Sequence, residues 1–158
     1  MADVIHDLSV RDPLDAEALI DTMLKRLDFN AAGFDRVVVL PRDMAFTDSY
    51  VMDHDVVIWH CGAPSQPDWN LKAWVWRFTL SLTVVNREPK RNHDIASFLH
   101  RSISQWPYDK GTEFGKIGAI PDNPGFQLTS IGDVVTTKTA VVRSCTKLVQ
   151  AGSLPITG

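Results

Sequence analysis

The stretch "KAWVWRFTLSLTVV", residues 72–85, decides how this chain is read. At a period of two, Trp74, Trp76, Phe78, Leu80, Leu82 and Val84 share one face of a strand. Ala73, Val75, Arg77, Thr79, Ser81, Thr83 and Val85 share the other. The first face must be buried, and each of its large side chains contributes about 1.5–3 kcal/mol when it is. The second is small, β-branched and half polar, which suits neither a core nor an ordinary charged surface. At about 3.3 Å per residue the strand also far exceeds the usual length of roughly five or six residues.

Working outward, "RDPLDAEALIDTMLKRLDF" reads as a helix. Asp12 is the expected N-cap and Pro13 the first helical residue, with Asp15 and Glu17 at the positive end of the dipole and Lys25 and Arg26 at the negative end. Ile20, Met23, Leu24 and Leu27 give it one apolar stripe. "RVVVL", residues 36–40, is a short strand ended by Pro41. The segment Pro41–Asp55 has no period and mixes Met44, Phe46, Tyr50 and Met52 with acids, so it is expected to be a loop lying against a surface. "VVIWHC", residues 56–61, resumes as a strand, and "GAPSQPDWN" is turn chemistry before the long strand.

After Val85, "NREPKRNHD" forms a connection in which Asn86 or Asn92 can cap a second helix, residues 93–106, marked by Ile95, Phe98, Leu99 and Ile103. A short strand is expected at residues 117–120, then one or two strands through residues 125–150 with a break near Gly132–Asp133. The segment 133–150 is long enough to pair with residues 72–85. The order α-β-β-β-α-β-β predicts an α+β fold, a two-layer α/β sandwich whose mostly antiparallel sheet carries two helices on one face. Residues 1–150 form a single domain and residues 151–158 a C-terminal tail.

Composition narrows the function classes. At 158 residues with 44% hydrophobic and 22% charged side chains, the chain can bury a real core. No apolar run reaches the roughly 20 residues of a membrane span, and the acidic opening "MADVIHDLSVRD" lacks the basic and apolar parts of a secretory leader. Cys61 and Cys145 stand at no motif spacing, which suits two inert thiols in a reducing cytoplasm. Residues 1–55 hold 12 acidic and 5 basic side chains, a net of −7, whereas residues 56–158 hold 7 and 11, a net of +4. That split suits faces that meet different partners, copies of the chain included, or reflects uneven sampling of solvated surface. Overall acidity argues against general nucleic-acid affinity.

Local motifs point away from catalysis. "GTEFGKI", residues 111–117, is one residue short of a phosphate loop between its glycines and has Ile117 where a hydroxyl is needed. His54, His60, Cys61, His93 and His100 form no paired metal motif, and only convergence in space could make them a zinc site. There is no G-x-S-x-G elbow and no marked carboxylate pair, so no catalytic residue, metal or cofactor is assigned. The closing "LPITG", residues 154–158, matches a sortase pattern without the apolar segment and basic tail that would follow it, so chance or a tag is the expected origin.

The succession of "DAEALIDTMLKRL", "RVVVL", the long loop, "DVVIWHC", "WVWRFTLSLTVVN", "HDIASFLHRSISQW", "GKIGAIPDNPGF" and "TAVVRSCTKLV" resembles the tail terminator (neck) proteins of long-tailed bacteriophages. The likeness is one of pattern and order over residues 12 to 150 and contains no invariant signature. It implies a structural virion protein without enzymatic activity. Such proteins form a hexameric ring that caps the tail tube, stops its polymerisation and joins it to the head. The implied partners are further copies of the chain, the tail tube protein and head–tail connector proteins. DNA is a transient passenger through the lumen, and no membrane is involved. The virion tail or neck is the implied location, with assembly in the host cytoplasm.

On this reading Phe46, Tyr50 and Met52 of the long loop, Arg77 of the open face, and Arg87, Lys90 and Arg91 of "NREPKRN" are candidate subunit-interface residues. The basic trio is either a solvated turn or a patch meeting an acidic surface such as the Pro41–Asp55 loop of a neighbour. Arg77 is expected to pair with an acid at a subunit contact unless its face lines the channel. The competing expectations are another connector or stopper of the neck, a small phosphate- or metal-dependent enzyme using residues 111–125, and an adaptor domain without ring symmetry.

Overall fold

The structure is a computed structural model that describes residues 14–41, 54–66, 75–135 and 138–153. In chain order it contains α1 (Ala16–Lys25), β1 (Val37–Pro41), β2 (Asp55–Cys61), β3 (Val75–Asn86), α2 (Pro89–Gln105), a 3-10 turn at Trp106–Tyr108, β4 (Lys116–Asp122), β5 (Gln127–Val135) and β6 (Lys138–Gly152). The strands form one mixed sheet in the order β1-β2-β3-β6-β4, with β5 also on β6. The fold is α+β, and the one or two strands expected through residues 125–150 are two, β5 and β6.

Alternation along β3 builds the core. Phe78, Leu80, Leu82 and Val84 are buried, and their neighbours across the sheet on the same face are Cys61, Trp59 and Val57 of β2 and Val149, Lys147, Cys145 and Arg143 of β6. Leu19, Ile20, Met23 and Leu24 of α1 and Ile103 of α2 join Phe78, Leu80, Leu82 and Val149 in one cluster. Ile95, Ala96 and Leu99 of α2 join Val57 and Val84 in another. Both helices therefore cover the same face of the sheet. Phe98 completes α2's packing through tilted rings against Phe29 and Phe34, 5.3 and 5.8 Å away.

Among the described strands only β1 and β2 run parallel, with Val37 opposite Asp55 and Pro41 opposite Trp59. A parallel neighbour cannot be reached by a tight turn and needs a crossover of about a dozen residues or more. This accounts for the length of the segment between Pro41 and Asp55 on topological grounds alone.

β3 is a central strand. Its twelve residues pair with β6 from Val75–Gly152 to Asn86–Val141, and its other edge carries β2. Both edges are filled within the chain, so β3 does not offer hydrogen bonds to a neighbour. β6, at fifteen residues, is the longest strand; its far edge takes β4 beside residues 148–152 and β5 beside residues 138–144. The β5–β6 hairpin thus continues past Asn86, the last β3 residue paired with β6.

Several boundaries differ from expectation. Asp15, not Asp12, caps α1, accepting a 3.0 Å bond from the Ala18 amide; Asp12 and Pro13 lie outside the described residues. α2 begins at Pro89, four residues before His93, because Pro suits the first turn. Glu88 is its N-cap position, so Asn92 lies within the helix. Its buried side chain donates to the Val84 and Val141 carbonyls at 3.0 and 2.9 Å, pinning α2 to β3 and β6. β6 runs through Gly152, and Ala151 is in the core, so the domain extends beyond residue 150. The break expected near Gly132–Asp133 falls between β5 and β6, after Val135.

Candidate functional site

The face of the sheet opposite the helices is the principal candidate. Along β3 it presents Arg77, Thr79, Ser81, Thr83 and Val85, and their register partners on β6 are Gln150, Leu148, Thr146, Ser144 and Val142. Ile58 and His60 of β2 continue it beside Thr83 and Ser81. Alternation forces this composition, because each large apolar residue of β3 turns to the helices and the intervening small or hydroxyl residues turn away. Ser81 and Thr146 hydroxyls lie 3.3 Å apart, and Thr79, Thr146 and His60 are exposed. No acidic side chain occurs among these residues. The strip offers hydroxyls and half-buried aliphatic carbon, which suits contact with another protein surface better than acid–base chemistry.

Arg77 has a partner inside the chain. Its Nε donates to Gln150 Oε1 at 3.0 Å, and its backbone makes two 2.8 Å bonds with Ser65. Among the described residues Arg77 makes no ion pair, and the acid expected of it at a subunit contact belongs to a neighbour outside this single chain.

The basic trio also resolves within the chain. Asp55 opens β2 on the covered side and is only 1% exposed. Its carboxylate accepts from Arg91 Nε at 2.7 Å and Asn86 Nδ2 at 2.9 Å, with Arg36 Nε at 3.6 Å. Arg91 also reaches Asp35 at 3.3 Å and lies 5.6 Å from the Phe34 ring centre; Arg36 reaches Glu88 at 3.1 Å. This cluster locks the start of α2 to the β1–β2 end of the sheet. Arg91 therefore belongs to an internal pair with the buried Asp55, its own side chain part-buried, and Lys90 pairs with Asp94 one helical turn on, at 3.2 Å. Arg87 is exposed and, among the described residues, makes no such pair. Phe46, Tyr50 and Met52 lie outside the described residues.

Lys147, which sequence reading passed over, is fully buried. Its Nζ donates to His100 Nδ1 at 2.9 Å, the Pro124 carbonyl at 2.7 Å and Asn123 Oδ1. Three protons meet three neutral acceptors, so an ammonium fits. Burial holds the Lys147 pKa below the ordinary amine value, and burial followed by the Lys147 charge holds His100 below the ordinary imidazole value. The sequence signal was present: in "CTKLVQA", Lys147 alternates with Cys145, Val149 and Ala151, which points it at the helices.

The other motifs find structural roles. Thr112 and Gly115 close the glycine-rich turn with backbone bonds of 2.7 and 3.2 Å. Gly115 has φ 144°, and a Cβ there would stand 2.6 Å from the Gly152 carbonyl oxygen, so glycine is needed for the turn to meet β6. Lys116 Nζ is engaged by the Pro107, Asp109 and Ile117 carbonyls, which leaves no lysine free for a phosphate loop. Burial, reinforced by Glu17 and Asp15, pushes the Cys61 thiol up to about 12, and burial pushes Cys145 up to about 11. Both are protonated and unreactive near neutrality. Among the described residues no three His, Cys, Asp or Glu side chains converge to hold a metal, and no helix is long and apolar enough to cross a membrane.

No protein family's model matches the chain, and no curated protein matches it. Among solved structures, one that carries no functional name is 14% identical, covers 87% of this chain and 95% of its own, and superposes at a TM-score of 0.43. So distant a likeness carries no functional argument.

Proposed function

We propose that the protein is a structural ring subunit of a phage neck, a tail terminator that caps the tail tube and joins it to the head. The observation that supports this reading best is the uncovered sheet face, rich in hydroxyls, around Thr79, Ser81, Thr83, Ser144 and Thr146. Both described helices pack on the opposite side, so among the described residues no helix covers this face. The β5–β6 hairpin, running past the end of β3, adds a reach beyond the body of the domain.

Roles divide by face. The helix-covered side holds the subunit together, with Asp55 and Arg91 fixing one end. The uncovered side, with Arg77, meets neighbours.

The reading is tested by adding the purified protein to polymerising tail tube protein and imaging the products by negative stain. The expected result is shortened tubes carrying a ring at one end. A connector or stopper would instead bind portal ends and leave tube growth unchanged. A chain that stays monomeric under all conditions, tube protein included, removes the ring altogether.

A further inference from the structure

We infer that the cleft between α2 and the connection from β4 to β5 is a binding site for a single oxyanion, a carboxylate or phosphate group. The cleft has a volume of about 320 Å³ and is lined by His93, Ser97, His100 and Arg101 of α2, Phe126, and Arg143 of β6. A water occupies roughly 30 Å³ of liquid, so such a group fits together with part of its hydration shell.

Its polar lining is cationic or donating throughout. No carboxylate contributes to the lining. Arg101 is exposed and forms no ion pair with a described residue. Arg143 spends Nη1 on the Pro89 carbonyl and Asn92 Oδ1, at 3.2 and 3.0 Å, and retains its other nitrogens. His93 is the partial exception, with Nδ1 3.5 Å from Asp94.

The second observation is the buried charge behind this wall. Lys147 has three hydrogen-bond acceptors, all neutral, and no described carboxylate lies within ion-pair distance of it. Asp122 acts on it only through space. A buried cation without a counter-ion is costly, and in a low-dielectric setting a nearby anion gains correspondingly. The same lysine also fixes His100. Because Nζ donates to Nδ1, the imidazole is neutral with its proton on Nε2, across the ring from Lys147. His100, which lines the cleft beside Arg101 and Ser97, thus carries its N–H on the nitrogen that Lys147 leaves free. This arrangement is independent of ring formation.

The test is titration of the full-length protein at low ionic strength with inorganic phosphate and, separately, acetate, following the His100 side-chain nitrogens by NMR. Saturable shifts with phosphate, acetate or both support the site and distinguish its two sources. Arg101→Gln should weaken that binding by at least about tenfold, equivalent to about 1.4 kcal/mol. Lys110→Gln removes the same charge from an exposed position outside the cleft and should leave binding within about twofold. Absence of saturation with either anion, or equal weakening in both variants, overturns the inference. Arg101 is exposed, so loss of fold does not confound the comparison.

Discussion

The two faces of β3 are made by the same twelve residues and face opposite fates. On one, Phe78, Leu80, Leu82 and Val84 are between 0 and 2% exposed beneath two helices. On the other, Arg77, Ser81 and Thr83 are half-buried, and Thr79 is exposed. Burial of the first face drives folding. The second contributes little to the subunit's own stability and is free to be shaped by contact with other surfaces. On the proposed reading one strand carries stability and assembly at once, because alternation keeps the two demands on separate side chains.

Substitutions can break that division. The largest effect is expected at the edge of the covered face, where Asp55→Ala would strip Arg91 and Asn86 of a buried partner. A loss of about 3–5 kcal/mol is predicted, read as a fall in the urea midpoint without recovery in high salt. Leu80→Ala, at the centre of the covered face, should cost about 2–5 kcal/mol through the cavity it leaves. Ser81→Ala, one residue along but on the opposite face, should change stability by less than about 0.5 kcal/mol. If Ser81→Ala matched Leu80→Ala in an isolated subunit, the separation of roles by face would be wrong.

A smaller effect concerns pH. His100 sits under the covered face with its pKa lowered from 6.5 by burial and then by Lys147. As pH falls below 6.5, the unfolded chain takes up a proton that the folded chain resists, so stability decreases towards the lowered folded pKa and then levels off. His100→Gln should flatten this part of a pH series of urea unfolding curves. An unchanged slope would assign the acid sensitivity to other groups.

How far the sequence could be read follows the same divide. The covered face was legible because residues 76–84 alternate and α1 keeps one apolar stripe, patterns set by neighbours a few positions away; Trp74, expected on the same face, lies outside the described residues. The partnership of β3 with β6 followed from matched length. The parallel β1–β2 pair was not legible, since a strand's direction depends on where a loop lands rather than on its own residues. "NREPKRN" misled because its cations were weighed without their partners: Asp55 stands 36 positions from Arg91 in sequence, and only folding brings them together. Lys147 was overlooked although its alternation with Cys145 and Val149 was visible, because a lysine among hydrophobic residues is ordinarily read as exposed. Arg77 was correctly placed on the uncovered face, but its amide partner lies on a strand 73 positions away.

The most direct test of the central claim is native mass spectrometry of the subunit and of Thr146→Arg, with and without tail tube protein. Thr146 is exposed at the middle of the uncovered face, so a bulky cation there should spare the fold and block apposition of subunits. The account predicts a species of six subunit masses for the unmodified chain. It predicts loss of that species in Thr146→Arg, with an unchanged urea midpoint for the isolated subunit. An unmodified chain that remains monomeric with tube protein present, or a variant that still forms the ring, would contradict it.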